Sequence, residues 1–261
     1  MNSAAIVHPA LVEVSDLAYS YGDRPVLKGV SFTIPRGKIV AILGATASGK
    51  STLLALIGGQ LEPRRGSVKI EGRVVHELST GELYRLRRRI GMMFQAGGLF
   101  SDLSVFDNIA FPLRENTALP EPIIREIVLM KLQAVGLRGA RDLMPAEVSG
   151  GMSRRIALAR AIAMDPMLTM YDEPFAGLDP IALAIVGRLI RRLNDALGAT
   201  SIVVSHDIVE AMQMVDYLYF ISDGVIMGEG TPEEIRRSEL PFVKQFVHGE
   251  TDGPVPFHYP A

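Results

Sequence analysis

The segment Gly44-Ala45-Thr46-Ala47-Ser48-Gly49-Lys50-Ser51 constrains this chain more than any other. It matches the pattern G-x-x-x-x-G-K-[ST], in which backbone N–H groups and a helix start surround phosphate oxygens. The apolar run Lys38–Leu43 before it predicts a buried strand, and Lys50–Gly58 after it predicts a helix. A glycine-rich turn of purely structural use is the alternative. The flanking strand and helix favour a phosphate-binding loop.

This loop predicts a nucleotide site for ATP and Mg²⁺. Lys50 would reach the β- and γ-phosphates, and the Ser51 hydroxyl would bind Mg²⁺. The positions expected to contact nucleotide are Gly44, Ala45, Thr46, Ala47, Ser48, Gly49, Lys50, Ser51 and Thr52.

Strand-like and helix-like segments alternate in the outer thirds of the chain, which predicts a parallel α/β core. The predicted strands are Leu11–Ala18, Val30–Ile34, Ser67–Ile70, Ile90–Phe94, Pro166–Tyr171 and Ser201–Val204, with a hairpin of Tyr217–Ile221 and Val225–Glu229. The predicted helices are Gly81–Arg89, segments within 104–145, Ser153–Met164, Ile181–Ala196 and Asp207–Val215. A helical insert near 95–160 predicts a second lobe.

Composition excludes several classes of function. The chain has no cysteine, so it has no disulfide, thiolate metal site or cysteine nucleophile. A net charge of -2 does not favour a general nucleic-acid binder. No stretch free of Asp, Glu, Lys and Arg approaches the roughly 20 apolar residues of a spanning helix. We therefore expect a soluble chain that reaches a membrane only through a partner.

A second chemical signal follows the strand predicted at Pro166–Tyr171. Asp172 would hold Mg²⁺, and Glu173 would act as the general base that polarises an attacking water. Two adjacent acids alone would fit a solvated loop equally well. Together with the phosphate loop, they predict hydrolysis.

The segment Val148-Ser149-Gly150-Gly151-Met152, with a basic helix after it, resembles the signature loop of ATP-binding-cassette (ABC) ATPases. Ser149 precedes Asp172 by 172 − 149 = 23 residues, as in that family. Ser-Gly-Gly alone would predict only a helix-capping turn. Ala45 and Ala47 depart from the family, which usually has Pro and Gly there. An alanine would strain the loop if position 47 needs a positive φ.

The resemblance covers roughly residues 11–237 and implies further roles. Ser149, Gly150 and Gly151 would contact the γ-phosphate of ATP bound by a second copy, in a head-to-tail pair. Gln95 would join Mg²⁺, Asp179 would lie in a dimer-contact loop, and His206 would meet the γ-phosphate. Tyr21 would stack on adenine, with Tyr19 as its rival.

The implied fold is the α/β P-loop NTPase fold of ABC ATPases. It has a RecA-like parallel-sheet core, an antiparallel β subdomain and a helical signature subdomain. The ATPase domain would span 1–240, with the helical subdomain at about 96–163 and a C-terminal extension at 241–261.

Longer stretches resemble the ATPase of Mla-type phospholipid transporters: Phe94–Phe100, Asp107–Arg114, Met130–Arg138 and Asp252–Pro260. That resemblance implies transmembrane permease subunits, a small cytoplasmic regulatory subunit and phospholipid as the transported substrate. It implies a peripheral location on the cytoplasmic face of a Gram-negative inner membrane. The alternatives are the same ATPase with another substrate, a soluble ABC protein outside transport, and a nucleotide-binding module without hydrolysis. Retained Glu173, Gln95 and His206 argue against the last.

Three prolines in Asp252–Ala261 exclude helix and favour an extended tail. The resemblance implies that this tail crosses to the second copy. A disordered terminus is the alternative.

Overall fold

The computed structural model describes residues 10–95 and 97–254, and in them the strands form two sheets. The first sheet has the order β2-β1-β4-β5, and its paired strands are antiparallel. Its strands are β1 (Ala10–Tyr21), β2 (Arg24–Pro35), β4 (Arg65–Ile70) and β5 (Arg73–Val74).

The second sheet is parallel except at one edge. Its strands are β3 (Ile39–Leu43), β6 (Ile90–Met93), β7 (Leu168–Asp172), β8 (Thr200–Ser205), β9 (Tyr217–Ser222) and β10 (Val225–Gly230). They lie in the order β10-β9-β3-β8-β7-β6, and β10 pairs antiparallel to β9. The carboxyl ends of the five parallel strands therefore share one edge, where ligands bind in open α/β sheets.

Helices cover this sheet and build a separate lobe. They are α1 (Lys50–Ile57), α2 (Thr80–Arg87), α3 (Val105–Asn116), α4 (Glu121–Ala134), α5 (Gly150–Ala161), α6 (Pro180–Leu197), α7 (Ile208–Met214), α8 (Pro232–Arg236) and α9 (Pro241–His248). Helices α3, α4 and α5 pack on one another. In the described ranges, no helix is both long and apolar enough to cross a membrane.

The core lies on both faces of the parallel sheet, and β3 shows why. Alternate residues of a strand point to opposite faces. Ile39, Ala41 and Leu43 join the apolar cluster that extends into the helical lobe. Val40 and Ile42 join a second cluster, shared with the antiparallel sheet and α1. A strand buried on both faces reads as a continuous apolar run, as this one does.

The expected strands and helices are present, with boundaries displaced by a few residues. The helix expected at Ser153 begins at Gly150, because the Ser149 hydroxyl accepts a hydrogen bond from the Met152 N–H and caps it. The sequence analysis missed β5, α8 and α9. The proposed boundary at 240/241 coincides with the start of α9, whose Phe242 and Val243 are buried in the core. Of the predicted tail, residues 255–261 lie outside the described residues.

Asn108 holds the loop that enters the helical lobe. Its fully buried amide accepts from the Phe100 N–H at 2.8 Å. It also donates to the carbonyls of Phe100, Leu103 and Ser104 at 3.0–3.1 Å. One side chain thus satisfies the backbone of a segment without regular structure.

We expect Asn108→Ala to lower the free energy of unfolding by about 3 kcal/mol, since several buried backbone groups lose their partner. Urea denaturation followed by circular dichroism measures the change. Asn116→Ala is the matched control, because that half-buried amide contacts only the Pro112 carbonyl, at 2.9 Å, among the described residues. Its cost should stay within about 1 kcal/mol. Equal losses in the two variants would contradict the role of Asn108.

Candidate active site

The phosphate loop lies between β3 and α1 and rests directly on β9. A Cβ on Gly44 would lie 2.2 Å from the Ile221 carbonyl oxygen, so only glycine fits there. Gly49 has φ +97°, and a Cβ would meet Val26 at 2.9 Å. These two close approaches fix both ends of the loop against the sheet and β2.

Ala47 lies in the middle of the loop with φ +65°. The sequence analysis raised strain at this position, and the backbone does adopt the left-handed conformation. An L-residue with a Cβ pays roughly 1–2 kcal/mol there relative to glycine. Ala45, the other departure from the usual loop, has no positive φ. Of these two departures, only Ala47 therefore carries backbone strain.

Lys50 is nearly buried and lies over the loop. Its Nζ donates to the carbonyl oxygens of Gly44 at 2.9 Å and Ala45 at 3.0 Å, and lies 3.5 Å from Glu173 Oε1. Burial lowers the pKa of Lys50, and the nearby Glu173 and Asp172 partly oppose this. The ammonium group is thus held between the loop and the acids that end β7.

Asp172 and Glu173 occupy different environments at the end of β7. The Ser51 hydroxyl donates to Asp172 Oδ1 at 3.1 Å, while burial raises the pKa of Asp172. Glu173 has φ +48°, and its Oε2 lies 2.9 Å from His206 Nδ1. Left-handed backbone at a non-glycine residue is strained and is concentrated at functional sites.

One cavity of about 430 Å³ joins most of the predicted residues. Its lining consists of Tyr21, Arg24, Val26, Thr46, Ala47, Gly49, Lys50, Ser51, Thr52, Gln95 and Glu173. The half-exposed Tyr21 places its hydroxyl 3.5 Å from Thr52 Oγ1. Tyr19 packs against the core and meets Tyr21 edge to face at 5.0 Å. The cavity therefore favours Tyr21 over Tyr19 as the ring available to a ligand.

The donor set near Ser51 fits a hard divalent cation. A hydroxyl and a carboxylate are in contact, and Gln95 lines the same cavity. Mg²⁺ takes oxygen ligands of this kind. Burial disfavours the charged form of Asp172, and a cation beside it would reverse that penalty. The residues present therefore fit Mg²⁺.

Four predicted residues lie away from both this cavity and the phosphate loop beside it. Ser149 and Gly150 are exposed at the N-terminus of α5, with Gly151 next to them. Asp179 caps α6 by accepting from the N–H groups of Ile181 and Ala182 at 2.9 and 3.0 Å. The structure brings none of the four to the phosphate loop of their own chain.

Sequence reasoning missed Arg24 and Val26, which line the cavity. The available signal was a cation three residues after Tyr21, the residue expected to stack on adenine. Ala45 and Ser48 line a neighbouring cavity of about 330 Å³, which also contains Arg24 and Lys28.

An apolar groove lies between the sheet edge and the helical lobe. This groove, with a volume of about 520 Å³, is lined in part by Tyr84, Phe94, Phe100 and Phe111, each exposed by more than a third. Phe100 packs on Phe111 at 4.7 Å, and the Arg160 guanidinium lies 5.5 Å from the Phe100 ring centre. Leu99, the neighbour of Phe100 in sequence, packs against the core instead.

Comparison with known proteins gives a consistent result. The profile of the family described as ABC transporter matches residues 27–176. The chain is 55% identical over 251 residues to the intermembrane phospholipid transport system ATP-binding protein MlaF of Haemophilus influenzae. The aligned region covers 96% of this chain and 95% of that protein.

Two further similarities extend the comparison. The chain is 40% identical over 244 residues to the probable ribonucleotide transport ATP-binding protein mkl of Mycobacterium tuberculosis, covering 94% of this chain and 68% of that protein. A dimeric post-hydrolysis structure of the ATP-binding cassette MJ0796 with ADP and Pi matches with TM-score 0.77 and 31% identity, over 85% of this chain and 98% of that one. The expected fold class is confirmed.

We expect Ala47→Gly to raise the free energy of unfolding by about 0.5–1 kcal/mol, because relief of the left-handed strain exceeds the entropy glycine adds to the unfolded chain. Thermal and urea unfolding measure the change. Ala45→Gly, in the same loop without positive φ, should instead lower stability by about 0.5 kcal/mol. Destabilisation by both substitutions would show that Ala47 is not strained.

Proposed function

We propose a function from the premise that this chain belongs to the ABC transporter family and is an ATPase of that family. The chain is the ATP-hydrolysing subunit of a transporter that moves phospholipid between the inner and outer membranes of a Gram-negative bacterium. The observation that carries the catalytic part is the contact of Lys50, Glu173 and His206 beside the phosphate loop. The relative named for intermembrane phospholipid transport supports the substrate.

ATP binds across the cavity of about 430 Å³. The adenine stacks on Tyr21, and the loop N–H groups with the α1 N-terminus take the phosphate oxygens. No acidic residue lies in the first turn of α1, so the helix end itself favours an anion. Lys50 exchanges its carbonyl contacts for the β- and γ-phosphates.

Mg²⁺ would be held by Ser51, Asp172 and Gln95, and it would neutralise charge that develops on the phosphates. Thr52, whose hydroxyl lies 3.5 Å from that of Tyr21, connects the ring that stacks on adenine to the end of the phosphate loop.

Glu173 accepts a proton from the attacking water. The water oxygen bonds to the γ-phosphorus as the bond to the bridging oxygen of ADP breaks, giving ADP and phosphate. His206 fixes the Glu173 carboxylate through the 2.9 Å contact and lies where the γ-phosphate would end. A base oriented by a neighbour loses less entropy when it reacts.

A second copy completes the site. Ser149, Gly150 and Gly151 present the N-terminus of α5 to solvent, and the first turn of that helix has no acidic residue. Such an end favours an anion. In a head-to-tail pair it meets the γ-phosphate bound by the other copy, with Asp179 nearby. The likeness to a cassette solved as a dimer supports this assembly.

The apolar groove is the docking site for a permease helix. Several large aromatic side chains are exposed together in this groove. Exposed apolar patches of this kind mark interaction sites. A small cytoplasmic regulatory subunit completes the complex on the cytoplasmic face of the inner membrane. Transport of another substrate is the second candidate, favoured by the similarity to a protein named for ribonucleotide transport.

We expect Glu173→Gln to keep ATP binding and to reduce the hydrolysis rate by roughly 10²-fold or more, the scale of a lost general base. Phosphate release and nucleotide fluorescence measure the two properties. Lys50→Ala is the complementary variant, and it should lose tight ATP binding itself. Hydrolysis by Glu173→Gln at the parent rate would remove Glu173 from its role.

Co-purification of the tagged chain from native membrane tests the transport function. We expect permease subunits and phospholipid to accompany the parent chain. Phe100→Asp should lose the permease and keep ATP affinity, because a buried unpaired carboxylate is costly in an apolar contact. Met130→Asp, at an exposed apolar residue of α4 outside the groove, is the matched control and should retain it. A non-lipid substrate system in the purified complex would favour the second candidate.

A further inference from the structure

Arg154 is a buried cation without an acidic partner among the described residues. It lies in the second turn of α5, after the exposed Ser149 and Gly150, and only 9% of its surface is exposed. Nη2 donates to the Ala176 carbonyl at 2.9 Å. Nη1 is buried and, in the described part of the chain, contacts no acceptor.

This arrangement is costly, and a comparison within the chain shows how unusual it is. Burial lowers the pKa of Arg154, because desolvation disfavours the charged form. Lys131 is also buried, but it pairs with Asp165. A buried charge is normally paired. Among the described residues, Arg154 instead donates one hydrogen bond, to the main-chain carbonyl of Ala176.

That carbonyl lies in the segment that connects the general base to α6. The Ala176 N–H donates to the Glu173 carbonyl at 3.3 Å, and the Leu178 N–H donates to the Phe175 carbonyl at 3.2 Å. The segment, which we call the 174–179 segment, ends at Asp179, which caps α6. Two successive turns therefore link Glu173 to Asp179, and Arg154 holds them from the side.

The starts of α5 and α6 also touch. A Cβ on Gly151 would lie 3.3 Å from Ala182 Cβ, so the two helix ends pack closely there. The glycine contact lies near the protein surface, whereas the Arg154 bond lies in its interior. The two contacts together align the signature loop with the 174–179 segment.

We propose that Arg154 is a positioning residue that locks the 174–179 segment to α5, so that a second copy binds the start of α5 and this segment as one surface. This inference rests on the proposed pairing of two copies. The unpartnered Nη1 receives its acceptor when the pair closes, because the 174–179 segment is then pressed between α5 and the other copy. Arginine suits this task, since its planar fork offers two parallel donors.

ATP-dependent pairing of the full chain in the Glu173→Gln background tests the proposal. We expect Arg154→Met, which keeps the packing of the stem, to weaken ATP-bound pairing by about 10- to 100-fold, the scale of one hydrogen bond to a charged group. ATP affinity of the unpaired chain should stay within about twofold. With Glu173 intact, kcat should fall while KM for ATP holds, and Arg154→Lys should recover part of the loss.

Arg155→Met is the matched control. Arg155 is the next residue of the same helix and also donates to a carbonyl, that of Val135 at 3.1 Å, but within the helical lobe. Its pairing should equal that of the parent. Equal weakening by Arg155→Met would overturn the proposal, because the effect would then come from α5 as a whole.

Two other outcomes would also overturn the inference. One is parent-like pairing and kcat in Arg154→Met while the Glu173→Gln chain still pairs with ATP, which leaves the proposed function intact. The other is loss of cooperative unfolding in both Arg154→Met and Arg154→Gln, which would make Arg154 a support of the fold. If the Glu173→Gln chain never pairs with ATP, the proposed function falls, and this inference falls with it.

Discussion

The contact of the phosphate loop with β9 is the constraint on which the rest of the site depends. Gly44 leaves β3 so close to the Ile221 carbonyl that no side chain fits between them. This approach is possible because β9 and β8 flank β3 in parallel register, with Leu43 opposite both Phe220 and Ser205. The same register ends β7 next to β8, and this brings Glu173 to His206. Parallel pairing therefore assembles residues that are far apart in sequence at one edge.

Charge at that edge is unbalanced, and the imbalance explains what the site binds. One nearly buried lysine faces two nearly buried carboxylates, Asp172 and Glu173. Burial raises the pKa of Asp172 and lowers that of Lys50, so both groups gain from a ligand that carries opposite charge. A nucleotide phosphate satisfies the lysine, and a divalent cation satisfies the carboxylate. The site thus fits both halves of Mg²⁺–ATP. The left-handed Ala47 and Glu173 are local strain that the surrounding sheet holds in place.

The sequence allowed the chemistry to be predicted better than the contacts that arrange it. The phosphate loop and the acids after β7 were predictable because local context, strand then loop then helix, accompanies the motif. Helix α9 was missed although Phe242, Val243, Phe246 and Val247 recur at helical spacing and pack in or against the core, because so short a pattern near a chain end was not read as a helix. That Leu99 packs against the core while the adjacent Phe100 lines the groove could not be predicted, because exposure cannot be inferred from residue type. The positive φ at Ala47 was raised as a condition from the family pattern. In the structure, φ at Ala47 is +65°.

In the proposed pair, two helix N-termini without acidic first turns divide the chemistry between two chains. The end of α1 faces the cavity of its own chain, whereas the end of α5 faces outward. The outward-facing N-terminus of α5 cannot stabilise a phosphate held by the phosphate loop of its own chain, since such an interaction falls off within one turn. In the assembly that we propose, complete hydrolysis requires a partner, and the partner's position becomes part of catalysis. Residues that hold the paired surfaces, such as Arg154 behind the 174–179 segment, affect the rate without touching the nucleotide. A transporter gains from this division, because a permease that changes the spacing of two ATPases changes the reaction itself.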